Sequence, residues 1–165
     1  MLPIDTLHTI AEVGIAITGF AGIVAAIQRG ANRATQPSVA DPLGILLGTS
    51  LGTVFFCFVP EWLNSAIAAP DVVWRVSLAV YGTYRLAYIA LILNAQRGGA
   101  GAISVSWRAF TVGVALGVLQ LVAAAGFLSE FKYFLYLSGL LWGLVVALTN
   151  FYTLLRDHTR ERGAV

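Results

Sequence analysis

The sequence predicts an all-α integral membrane protein, a compact bundle of five transmembrane helices with its N-terminus outside and its C-terminus in the cytoplasm. Three observations point there. Of 165 residues, 58% are hydrophobic and only 11% are charged, with a mean hydropathy of +0.81. A soluble domain carries about 25% charged residues, and so few charges cannot cover a water-facing exterior. The apolar residues also form five continuous stretches near the ~20 residues that a helix needs to cross hydrocarbon. Finally, these stretches lack the alternation of a barrel strand, which leaves helices as the element that satisfies its own backbone in lipid.

The expected spans are Leu7–Ile27, Leu43–Leu63, Val72–Asn94, Trp107–Leu128 and Tyr133–Leu155, in one domain that ends in a short charged tail over residues 156–165. Asp41-Pro42 and Pro70-Asp71 supply capping and first-turn residues for the second and third spans. Ser104 or Ser106 serves as a cap for the fourth, and Gly126 as its left-handed stop. Asn94 reads as a cap at the cytoplasmic end of the third span, and Pro60 as a kink or stop in the second. The link around Ser129–Lys132 is so short that the last two helices must be antiparallel neighbours.

Orientation follows from the basic residues, which are retained on the cytoplasmic side of short loops. Arg29, Arg33, Arg97, Arg108, Arg156, Arg160 and Arg162 fall on one side, Arg75 and Lys132 on the other. The opening MLPIDTLHTIAE has no Lys or Arg, so the first span is expected to be retained and not cleaved as a secretory signal. The excess of Arg over Lys, with abundant Ala and Gly, associates the chain with a bacterial inner membrane.

Several functions have no support in the sequence. The ten basic residues are dispersed among loops, against nucleic-acid binding. Cys57 lies alone in an apolar run, and His8 and His158 fall on opposite sides of the membrane, so no metal site and no cofactor is expected. No span holds a Ser–His pair, an acidic dyad or an HExxH motif, so the chain is not expected to be an enzyme.

Two constellations remain. Gly44, Gly48 and Gly52, Gly113 and Gly117, and Gly139 and Gly143 recur at four-residue spacing, which places each set on one helix face where two backbones approach closely. Gln120 and Asn150 lie on the same faces and are expected to form interhelical hydrogen bonds. These faces pack the bundle together or form an oligomer interface.

The second constellation surrounds Arg85, about 18 Å into the third span and near the bilayer centre, where a bare guanidinium is costly. Tyr81, Tyr84 and Tyr88 flank it along the helix as a stripe able to shield the cation. Glu12, about 7 Å inside the first span, is the preferred acidic partner, directly or through water; alternatively it pairs with Arg75. The leading functional expectation is an oligomeric channel or transporter for a small ion or protons along Glu12, Arg75, Arg85 and the tyrosines. The alternative is a non-catalytic membrane subunit or scaffold. The expected partners are the lipid bilayer and either further copies of the chain or other membrane proteins.

Overall fold

The computed structural model describes residues 4–31, 42–97 and 107–162, with side chains described for residues 4–23, 43–97 and 109–153. Among the described residues the chain is all-helical: α1 Ile4–Ala31, α2 Pro42–Ala66, α3 Pro70–Arg97, α4 Trp107–Ala124 and α5 Lys132–Arg162, with one 3₁₀ turn at Ser129–Phe131. Helices α1, α2, α3 and α5 are each long and apolar enough to cross a membrane. The fourth carries a shorter apolar stretch, Ala109–Ala124.

Element boundaries depart from expectation for local reasons. Nothing in the sequence breaks α1 at Ile27 or α3 at Asn94, and both helices continue, so Asn94 lies inside α3 and caps nothing. The expected tail begins as a continuation of α5, because residues 156–162 contain neither Gly nor Pro. Helix α4 instead stops early. Gly126 adopts φ +103°, its N–H donates to the Ala123 carbonyl at 3.1 Å and that of Phe127 to Val122 at 3.4 Å. These two bonds form a Schellman turn that a residue bearing a Cβ enters only with strain. Asp41, Arg33, Ser104 and Ser106 lie outside the described residues, as do the side chains of Arg29, Arg108, Arg156, Arg160 and Arg162.

Packing places α5 at the centre. It touches each of the other four helices, which neighbour one another in chain order; among the described residues α1 meets neither α3 nor α4, and α2 does not meet α4. The first four helices therefore form an arc around the fifth. Leu7, Leu46, Leu78, Tyr136, Leu140 and Ala147 are buried in one hydrophobic core. The exterior is apolar as well: Ile15, Phe20, Val80, Val118, Phe134 and Leu141 are all exposed.

One buried contact compensates for a defect in a helix. Pro60 lies inside α2 and has no N–H, so the Phe56 carbonyl four residues earlier lacks its intrahelical donor. The Tyr136 hydroxyl on α5 donates to that carbonyl, and Tyr136 itself is fully buried. Tyr136→Phe should lower stability by about 1–3 kcal/mol, because it leaves a buried carbonyl unpaired. In a Pro60→Ala background, which restores the missing N–H, the same change should cost less than half as much. Unfolding titrations of the four proteins in mixed micelles measure both values.

Candidate functional site

Arg85 lies about 22 Å from the start of α3 and about 18 Å from its end, at 1.5 Å per residue. It is 8% exposed. Its Nη2 donates to the Tyr81 hydroxyl at 2.8 Å and to the Gly139 carbonyl of α5 at 2.6 Å. The guanidinium carbon lies 4.9 Å from the Tyr81 ring centroid, within cation–π range. No carboxylate reaches it among the described residues. Its Nε is buried without a partner.

The helix that receives this bond is prepared by its glycines. A helical side chain covers the turn on its N-terminal side, so a glycine uncovers the carbonyl four residues before it. Among the described residues, five side chains donate to a backbone carbonyl of another helix or across the α4–α5 link. Tyr88 donates to Gly44 at 3.2 Å and Tyr84 to Gly48 at 3.1 Å. Gln120 donates to Leu135 at 3.1 Å, and Arg85 and Tyr136 complete the set. Four residues after these acceptors stand Gly48, Gly52, Gly139, Gly143 and Pro60. Four of the five carbonyls are uncovered by a glycine and the fifth is released by a proline.

The space a methyl group would need is already occupied. A Cβ at Gly48 would collide with the Tyr88 hydroxyl, and one at Gly52 would meet the Tyr84 hydroxyl at 2.5 Å. At Gly139 it would collide with the Gln120 amide nitrogen and approach Arg85 Nη2 to 2.9 Å. At Gly143 it would collide with the Thr53 hydroxyl. Gly113 and Gly117 serve close approach alone, facing Ile89 and Leu86 of α3.

The structure thus brings Tyr81, Arg85, Gln120, Gly139 and Gly143 together with Thr53, which sequence reasoning missed. Tyr84 and Tyr88 stack at 5.9 Å between ring centroids and turn towards α2. Asn150 bonds to Val146 on its own helix and joins no other, because its side chain reaches back one turn. Glu12 is exposed on α1 and meets neither cation. Arg75 is held by Asp71 at 2.9 Å, four residues earlier on the same helix, and the nearly buried Lys132 of α5 binds that same carboxylate. At the same end His8 of α1 meets Glu61 of α2 at 3.2 Å.

Neither protein-family models, nor curated proteins, nor solved structures show any match to this chain.

Gly139→Ala should cost about 3 kcal/mol, since its methyl displaces both Gln120 and Arg85 from their carbonyls. Gly113→Ala should be close to neutral. Its Cβ would meet only the flexible end of Ile89, at 3.3 Å, and the Trp142 ring nitrogen, at 3.6 Å, and alanine's helix propensity offsets that crowding. Thermal unfolding in detergent ranks the two variants.

Proposed function

We propose that this chain is a non-catalytic subunit or scaffold of a bacterial inner membrane, crossing it five times with the N-terminus outside and the C-terminus in the cytoplasm, and packing against other integral membrane proteins. The observation that carries this reading is the fate of the polar groups in the bundle. Tyr84, Tyr88, Arg85, Gln120 and Tyr136 each donate to a backbone carbonyl of a different segment. Thr53, Ser50 and Ser77 return to carbonyls of their own helices. Groups used in this way fix helix positions. A conduction path instead needs groups that exchange partners with a passing ion, and the acid expected to open one, Glu12, is on the outside of α1.

Five crossings require α4 to span with an apolar stretch of about 24 Å, extended at one end by Phe127, Leu128 and the 3₁₀ turn. The orientation rests on the basic residues, with Asp71, Arg75, Lys132, His8 and Glu61 gathered at the outer end.

The reading of an oligomeric channel or transporter has one observation in its favour. Arg85 Nε and Gln120 Oε1 are buried without partners, a donor and an acceptor in the cluster that a water molecule or an ion would satisfy.

Proteoliposomes under an imposed proton or chloride gradient discriminate the two functions. The gradient should decay no faster than in protein-free vesicles. Decay that the protein accelerates, and that Arg85→Met abolishes in a folded protein, would establish conduction instead. For topology, Ser65→Cys and Ala164→Cys, each in a Cys57→Ala background, should react with an impermeant thiol reagent from opposite sides of the membrane.

A further inference from the structure

Glu12 is a carboxylate on the lipid-facing side of α1, and this argument rests on the membrane reading above. Between Glu12 and Gln28 lie only the fifteen uncharged residues 13–27, about 22 Å of helix against a hydrocarbon core of about 30 Å. If α1 crosses, Glu12 lies in or at the edge of hydrocarbon. It is one turn, about 6 Å, deeper than His8, whose ring is already paired with Glu61. No described side chain shares a hydrogen bond or ion pair with Glu12.

The same face leaves backbone open. Ala16 and Gly19, four and seven residues on, are also exposed, and a Cβ built at Gly19 meets nothing within 4 Å. Gly19 stands four residues after Ile15, so by the geometry of the other acceptors it uncovers the Ile15 carbonyl. The polar side chains of this face are Asp5, Thr9 and Glu12; the Thr9 hydroxyl already donates to the Asp5 carbonyl at 2.9 Å, so beside Ala16 and Gly19 the face offers the Glu12 carboxyl and the uncovered Ile15 carbonyl. Its complement is a hydrogen-bond donor, preferably cationic.

A second copy does not supply that donor. Copies inserted in one orientation would bring Arg75 and Lys132 to this level, and both are engaged with Asp71; Arg85 is buried. Glu12 facing Glu12 brings together two carboxyls that cannot both stay ionised at close range, and it supplies no cation to either.

We propose that the Glu12–Ala16–Gly19 face of α1 is the docking site for a transmembrane helix of another membrane protein that presents a lysine or arginine at the depth of Glu12. Ala16 and Gly19 let the incoming backbone approach closely, and the ion pair neutralises both charges where lipid cannot.

The test uses the full chain, donor-labelled in phosphatidylcholine vesicles, with acceptor-labelled Leu-Ala transmembrane peptides read by energy transfer. One peptide carries a single lysine about 6 Å inside one end of its apolar segment, the second a lysine at its centre, the third none. The off-centre lysine peptide should associate at least about fivefold more strongly than the other two, the effect of one interhelical bond of about 1 kcal/mol. Glu12→Gln should erase most of that preference, and Gly19→Leu should weaken the lysine peptide's association severalfold. Equal association of all three peptides, or a preference that survives Glu12→Gln, would overturn the docking site. So would chain-to-chain energy transfer that depends on Glu12, because it would assign the face to a second copy. Carbonate extraction is done first: a chain that leaves the vesicles overturns the membrane reading and the docking site together, whereas one that stays and shows no lysine preference overturns the docking site alone.

Discussion

Backbone carbonyls released from their own helices set the arrangement of this bundle. In a helix each carbonyl is engaged by the N–H four residues on and covered by the side chain there. Removing the side chain, at Gly48, Gly52, Gly139 and Gly143, opens the carbonyl's second lone pair; removing the N–H, at Pro60, frees the first. Apolar helix surfaces can pack against each other in many ways, and a directional bond to such a carbonyl gives a helix pair one preferred register. The four-residue glycine spacing thus has two effects. It thins the helix for close approach, and it aims an acceptor at the neighbour.

The buried cation is held within that scheme. A buried guanidinium, with no acid beside it among the described residues, is stabilised by the Gly139 carbonyl dipole, the Tyr81 hydroxyl and the face of the Tyr81 ring. None of these carries a full negative charge, so stabilisation depends on geometry. That geometry depends in turn on Gly139, since a methyl group there would occupy space held by Gln120 and crowd Arg85 Nη2. The ion pairs of Asp71 with Arg75 and Lys132, and the contact of the His8 ring with Glu61, gather at one end of the bundle. Those contacts tie one end of the bundle together, and the hydrogen bonds to carbonyls join the helices along their length, from Gly44 and Leu135 in the first turns of α2 and α5 to Phe56 and Gly139 further on.

The helical class and the approximate spans were legible because they follow from unbroken apolar runs, which need only length and composition to read. That Arg85 and the glycine faces needed close packing partners was legible too, since a charge inside an apolar run and a row of missing side chains both demand an explanation. The partners were not. Glu12 looked like the natural mate of Arg85 as a nearby acid, but its position around α1 depends on how α1 meets α2 and α5, which no single-helix pattern contains. Asn150 sits on the same sequence stripe as Gly143 and yet bonds back to Val146. Of the five donor–acceptor pairs, the acceptors were implicit in the positions of Gly and Pro; the donors depended on tertiary packing. The bond from Tyr136 to the Phe56 carbonyl that Pro60 releases, across the whole of α3 and α4 in sequence, is the clearest case.

The distribution of donors and acceptors also constrains assembly. Acceptors lie on α2 and α5, and donors on α3, on α4 and on α5 itself. Without α5, the first four helices retain two of the five bonds, those of Tyr84 and Tyr88 to α2. Arg85, Gln120 and the Phe56 carbonyl would then face an empty axis. Burying those groups unpaired costs several kcal/mol in total, so a partial bundle has reason to admit water or to keep α3 and α4 loosely placed until α5 packs. Helix α5 then satisfies all three, accepting at Leu135 and Gly139 and donating from Tyr136. Helix α5 therefore completes the core, and the buried charge makes the structure that lacks it unfavourable.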